Sequence, residues 1–215
     1  MVAQRKQVFP ASEKTDFNSL ALTEPLACSI HSIKKSPPDP GDTVLIIGGG
    51  TMGVLHAVVA QNFGATPIIS EPDLKRNEFI SQNGIEVVTP GDVEDISEEV
   101  NQGFGFDSIF VTAPSATAIN ESLSYLRKMG TMVIYTSLHP SKEITFDSNK
   151  LHYSEKTITG TEGRTMEDFR EATAMLSEST VDIGYLATKS VKLSELSEEL
   201  SLSPNGTDQR TVVKP

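Results

Sequence analysis

Val44-Leu45-Ile46-Ile47-Gly48-Gly49-Gly50-Thr51-Met52-Gly53-Val54-Leu55 decides the fold of this chain. An apolar, β-branched run stops at three glycines and resumes with helical spacing, so it reads as a buried strand, a tight turn and a helix. Gly48, Gly50 and Gly53 fit the spacing G-x-G-x-x-G. In that pattern the first glycine makes the turn, the second lets backbone approach a pyrophosphate, and the third packs helix closely on strand. Thr51 and Met52 open the helix, where unpaired N–H groups and the positive dipole end point at bound phosphates.

Outward from this stretch the rhythm is strand, helix, strand. Residues 66–70 read as a second strand that ends at Glu71, eighteen residues past Gly53. That is the distance at which an acid in a dinucleotide-binding unit grips a ribose hydroxyl. A helix over 73–83, a third strand over 85–88 and an acidic helix over 92–102 follow. The fourth strand spans 107–113, and Ile119, Leu123 and Leu126 stripe a helix that stops before Gly130. Residues 132–136 are a fifth strand, and either 144–146 or 157–160 supplies a sixth. This alternation predicts an α/β Rossmann fold, a doubly wound parallel six-stranded sheet in the order 3-2-1-4-5-6. Loops at the carboxyl ends of strands four and five then bring Thr112, Ala113, Thr136 and Ser137 to the crevice as backbone contacts for a nicotinamide.

Before the sheet, residues 1–19 read as an extended or partly disordered lead-in, and residues 20–31 as a helix with Pro25 in its first turn and Glu24 at its mouth. After it, Thr165 and Asp168 form a capping box that opens a helix through Leu176. A strand over 185–193, a short helix over 196–200, a turn over 203–206 and a last strand over 211–213 make a C-terminal α/β appendage. The expected division is a lead-in over 1–19, a cofactor-binding domain over 20–163, and a segment over 164–215 that packs on it.

The 215 residues carry 18 Lys and Arg against 29 Asp and Glu, a formal charge of −11. That balance argues against nucleic acid and anionic membrane as partners, while local N–H groups remain able to hold an anionic cofactor. One cysteine excludes an intramolecular disulfide and suits a reducing compartment. Met1 to Lys6 is followed by no apolar signal core, and no stretch reaches the roughly 18 apolar residues of a membrane span. The expectation is a soluble cytoplasmic protein.

Several motifs in one order resemble the cofactor-binding half of the medium-chain dehydrogenases/reductases, the zinc-type alcohol and polyol dehydrogenase superfamily, in its sorbitol-dehydrogenase-like branch. They are Thr23-Glu24-Pro25-Leu26-Ala27-Cys28, Gly41-Asp42-Thr43-Val44 leading into Gly48 to Gly53, Phe63-Gly64-Ala65 and Glu71. Gly105-Phe106-Asp107-Ser108, Leu126-Arg127-Lys128-Met129-Gly130, Lys156-Thr157-Ile158-Thr159-Gly160 and Glu167-Asp168-Phe169 complete the series. The resemblance implies an NAD-dependent oxidoreductase acting on a small alcohol or polyol, with zinc at a site that Glu24 would approach. It also implies a homodimer joined through the sixth strand. Members of that family carry a zinc-binding catalytic domain ahead of the cofactor domain, where this chain has about twenty residues. Zinc therefore enters only with ligands that this chain does not hold, and catalytic residues stay unassigned.

Two readings from other classes stand beside the dehydrogenase. One is a non-catalytic NAD(H)-binding module, a sensor or a partner-docking domain. The other is a methyltransferase-like fold, which the G-x-G-x-x-G spacing disfavours. Within the site, a carboxylate about 4 Å from a 2′-phosphate costs on the order of 4 kcal/mol at an effective dielectric near 20, so Glu71 favours NAD over NADP. Lys75 and Arg76 work in the other direction. Glu24, Cys28 and His31 share a helix face at i, i+4 and i+7, yet one straight helix rarely wraps three ligands round a tetrahedral ion. His56 reads as packing, while His139 follows the fifth strand without an identifiable partner.

Overall fold

The apolar run Thr43–Ile47 forms β1, and its alternating side chains divide the interior in two. In the computed structural model, which describes residues 8–202 and 209–214, β1 lies in the middle of a six-stranded parallel sheet. The other strands are β2 (Thr66–Ser70), β3 (Glu86–Val88), β4 (Phe106–Val111), β5 (Leu126–Ile134) and β6 (Thr157–Gly160). Their order is β3-β2-β1-β4-β5-β6, with Leu45 paired to Ile68 on one side and Ile109 on the other. The predicted fold and strand order are those observed. Of the two candidates for the sixth strand, Thr157–Gly160 is the one that pairs.

Because strand side chains alternate faces, Val44 and Ile46 enter one core and Leu45 and Ile47 the other. On the first face lie α2 (Thr23–Ile33), α3 (Thr51–Asn62) and α8 (Met166–Ser177), which bury Leu26, Ile30, Leu55, Val59 and Leu176 with Ile69, Phe110 and Val133. On the second, α5 (Val93–Glu99) and α6 (Ala116–Tyr125) contribute Val93, Ile119 and Leu123 against Ile68, Ile109 and Met132. α3 is buried nearly all round because it sits between the sheet and α2. The remaining helices are α1 (Phe17–Ala21), α4 (Leu74–Gln82), α7 (Ser148–Tyr153) and α9 (Leu196–Leu202).

Three local readings need correction, and residues 8–19 carry contacts of their own: Asp16 caps α1 by accepting from the Asn18 and Ser19 N–H groups, and Phe9 packs on Phe169 with ring centroids 5.1 Å apart. These contacts are long-range, with Ser12 N–H donating to Ser177 Oγ at 3.1 Å, so no local pattern announced them. Leu126 lies on β5, because the chain leaves α6 at Tyr125 and pairs Leu126 with Phe106 before an irregularity that carries Met129 at φ 60°. The acidic helix stops at Glu99, since Asn101 and Gln102 take positive φ. α7 follows an Asp147 cap that the sequence reading passed over.

The Thr165/Asp168 capping box is present at the start of α8. At the carboxyl end, β7 (Lys189–Lys192) and β8 (Thr211–Lys214) pair in parallel as a separate two-stranded sheet. The predicted turn at 203–206 lies outside the described residues. Among the described residues no helix is long and apolar enough to cross a membrane.

Candidate functional site

The glycine loop connects β1 to α3, and its glycines meet different surroundings. Gly48 has φ +107°, and a Cβ there would lie 3.0 Å from both Ala113 Cβ and Thr112 Oγ1. At Gly53 a Cβ would fall 1.8 Å from the Gly48 carbonyl oxygen, so the first turn of α3 rests directly on the loop. Gly50 differs: among the described residues a Cβ there would meet nothing within 4 Å. That open space lies at the N-cap of α3, where no side chain supplies a capping bond to the first amides.

Gly49, which the fingerprint does not count, is buried beneath Glu71. A Cβ at Gly49 would lie 2.6 Å from Ile80 Cδ1 and 2.9 Å from Glu71 Cβ. Glu71 is 4% exposed, and its carboxylate accepts from the Gly49 N–H at 2.7 Å and the Asp73 N–H at 3.0 Å. Arg76 Nη1 stands 3.7 Å from the same carboxylate. Two backbone donors leave part of the acceptor capacity of a carboxylate open. Glu71 also lines a cavity of about 400 Å³ with Gly48, Arg76, Ala113, Ser115 and Tyr125. An adenosine-sized ligand matches that volume and its mixture of apolar wall and few polar groups.

Thr112 and Ala113 lie where the sequence put them, at the end of β4, but much of their polar capacity is already used. The Ala113 N–H and the Thr112 hydroxyl both donate to the Ile47 carbonyl at 2.9 Å, which ties β4 to β1 under the loop. Thr136, half-buried, donates its N–H to the Val111 carbonyl at 3.2 Å, and Ser137 is exposed. The sheet thus brings Gly48, Gly50, Thr51, Met52, Gly53, Glu71, Thr112, Ala113, Thr136 and Ser137 to its carboxyl edge, where ligands of open α/β sheets bind.

The three candidate metal ligands of α2 do not converge. Glu24 pairs with Arg164 Nε at 3.2 Å, and the Cys28 thiol donates to Glu24 Oε1 at 3.5 Å. His31 instead faces α8, its Nδ1 2.9 Å from Asp168 Oδ2. Burial, reinforced by Glu24, pushes the Cys28 thiol up to about 11. Among the described residues no group of three or more His, Cys, Asp and Glu could hold a metal ion. Glu24 and Cys28 by themselves do not fit a catalytic zinc.

Two further groups crowd the β5 end of the site. His56 is fully buried in α3, with Nδ1 2.6 Å from the Met52 carbonyl and its ring edge-on to Tyr135 at 4.8 Å. A carbonyl only accepts, so Nδ1 carries the proton and Nε2, which has no partner among the described residues, is bare. The expected packing role fits this position. Burial also raises Tyr135 to about 12, with Cys28 and Glu24 adding to the shift and Arg210 opposing it. Gln209 and Arg210, which the sequence reading missed, reach this side from beyond α9; only their distance in the chain hid them.

A parallel sheet in this order, with a glycine loop at the end of its first strand and a buried acid at the end of its second, defines the doubly wound α/β class built for nucleotide ligands. The family pattern described as zinc-binding dehydrogenase matches residues 51–178, and the chain belongs to that family. The sorbitol dehydrogenase of Halalkalibacterium halodurans is 27% identical over 220 residues, covering 100% of this chain and 64% of its own length. The chain thus spans less than two thirds of that relative. Among solved structures, one described as a zinc-binding dehydrogenase from Sinorhizobium meliloti 1021, bound to NADP, superposes with a TM-score of 0.89 at 24% identity, covering 99% of this chain and 64% of that one. A short chain alcohol dehydrogenase from E. coli CFT073, complexed with NADH, gives 0.86 at 16% identity, covering 99% and 63%. Likeness at these identities carries the fold.

Proposed function

We propose that this chain binds NAD(H) at the glycine loop and forms the cofactor-holding portion of a medium-chain alcohol or polyol dehydrogenase. The observation that carries the reading is the open space at Gly50, at the α3 N-terminus, in the same loop whose Gly48 lines the cavity with Glu71. The amides of Thr51, Met52 and Gly53 would hold the pyrophosphate and Glu71 the adenosine ribose diol. Ala113 would wall the adenosine side, with Thr112 bracing it, and Thr136 and Ser137 would border the nicotinamide. When bound, the cofactor supplies the hydride chemistry; the chain orients it. The buried Glu71 carboxylate favours NAD over NADP, and its repulsion of a 2′-phosphate outweighs Arg76, whose nearest nitrogen is 3.7 Å away and partly exposed.

A second reading, a non-catalytic NAD(H)-binding module, is favoured by the Glu24–Arg164 ion pair and the Cys28–Glu24 hydrogen bond, which engage the carboxylate that zinc chemistry would recruit. Under either reading we place the protein in the cytoplasm, with residues 20–163 as the cofactor unit, 164–215 as a segment packed on it, and a homodimer joined through the outer edge of β6. Nucleic acid and membrane are not partners in this proposal.

Fluorescence titration of the chain with NADH, NADPH and S-adenosylmethionine tests it. NADH should bind at least about tenfold more tightly than NADPH, with no response to S-adenosylmethionine. No NADH binding at millimolar concentration overturns both readings. Polyol oxidation with added zinc then separates enzyme from module, and a monomeric sedimentation profile excludes the β6 dimer.

A further inference from the structure

Gln209 crosses from the C-terminal strand pair to the glycine loop. Its carboxamide Nε2 donates to the Gly49 carbonyl at 3.1 Å, and the Thr51 hydroxyl donates to its backbone carbonyl. From behind, its N–H donates to Thr188 Oγ1 at 3.1 Å, and the Arg210 carbonyl accepts from the Lys189 N–H at 3.3 Å. Those bonds seat Gln209 at the start of the β7–β8 ladder, whose Val191 and Val212 are buried. The residue is therefore anchored on one side and grips the loop on the other.

The loop needs such a grip. Gly49 and Gly50 have no side chains of their own, and α3 starts without a side-chain cap. Glu71 holds the Gly49 N–H, and Gln209 holds the Gly49 carbonyl. Because a peptide unit is planar, fixing that carbonyl also fixes the direction of the Gly50 N–H, which points the opposite way. A loop ordered in advance binds an anion without first losing backbone freedom.

We propose that Gln209 is a positioning residue for the phosphate loop, so that the dinucleotide site is assembled from the β1–α3 loop and the segment that leads into β8. The inference rests on the reading of the glycine loop as a pyrophosphate site. Its ligand class is any nucleotide with a diphosphate, and its action is on the loop backbone rather than on the adenosine pocket.

Gln209→Ala and Gln209→Asn, which is one methylene too short to reach Gly49 from the same backbone, test it in the full chain. Two measurements are made: hydrogen exchange of the amides at residues 49–53 without ligand, and affinities for NADH, ADP and adenosine. The expected result is faster exchange at the loop in both variants and roughly three- to tenfold weaker NADH and ADP binding, with adenosine affinity unchanged. Unchanged loop exchange with unchanged NADH affinity overturns the proposal. An equal loss for adenosine and ADP overturns it too, since the effect is then general loosening. A wild-type chain that binds neither NADH nor ADP instead removes the pyrophosphate reading and this inference with it, whatever the exchange data show.

Discussion

Substituting Gly53 by alanine places a methyl carbon 1.8 Å from the Gly48 carbonyl oxygen, against an ordinary carbon–oxygen contact of about 3.3 Å. Either α3 or the Gly48 peptide must then move by roughly 1.5 Å. Neither moves freely: α3 is buried between the sheet and α2, and the Gly48 N–H is bonded to the Ser70 carbonyl at 2.8 Å. Overpacking of this kind costs about 3 kcal/mol, and alanine returns about 1 kcal/mol through its helix preference, leaving a net loss of about 2 kcal/mol. For a chain of this size that lowers the melting temperature by roughly 4–8 °C.

Gly50→Ala is the matched control, because its methyl group enters open space at an ordinary φ of −71°. Losing glycine at the N-cap and stiffening the unfolded chain nearly cancel, so stability should hold within about 0.5 kcal/mol. The same methyl stands where the pyrophosphate would come in, and NADH affinity should fall by at least about tenfold. Urea unfolding and NADH titration of both variants make the comparison. Gly53→Ala as stable as wild type, or Gly50→Ala binding NADH normally, refutes the assignment of these roles.

Three other perturbations follow from the same geometry. Glu71→Ala strips the buried Gly49 N–H of its acceptor, so it should destabilise the chain by about 1–3 kcal/mol and narrow the preference for NADH over NADPH, read by unfolding and titration. Burial pushes His56 down to about 4, against the partial opposition of the Met52 carbonyl, so the unfolded chain takes up a proton below about 6.5 that the folded chain refuses. Stability should be full above that pH and decline by on the order of 3 kcal/mol between 6.5 and 4, with His56→Leu flattening the slope in urea titrations. Asp168 acts at lower pH. Burial alone would raise it, but Lys34, Thr165 and His31 outweigh that and hold it well below the usual carboxylate range, so its contribution persists above about 4 and fades as acid approaches the folded value. Asp168→Asn should remove that acid-dependent component from the unfolding profile.

The sheet was legible because its determinants are local. Each strand is a short apolar run, each helix has its own stripe or cap, and the parallel order follows from the alternation. Leu126 was misassigned for the complementary reason. Its apolar side chain satisfies both the helix stripe and the strand, and only its pairing with Phe106 decides. Within the candidate site, spacing alone points to Glu71 at the end of β2, whereas its hydrogen bond to Gly49 depends on how closely β2 approaches the loop. His31 looked like a neighbour of Glu24 and Cys28 because a helix face was the only geometry available. The partner that turns it away, Asp168, lies 137 residues further on.

The glycine loop itself holds more information than its fingerprint. Gly48 answers to φ, Gly53 to a carbonyl oxygen and Gly49 to Ile80 and Glu71, while a Cβ at Gly50 would meet no described residue, the space that the proposed function gives to a pyrophosphate. The surroundings of Gly49 change the meaning of the acid at the end of β2. Glu71 lines the cavity and at the same time closes over the loop, so one carboxylate touches both the cavity and the peptide that precedes α3. Any substitution there alters both together. Under the proposed dinucleotide reading, retuning selectivity at Glu71 therefore needs a compensating acceptor for the Gly49 N–H, and Gln serves that purpose better than Ala because its carboxamide oxygen can take the same bond.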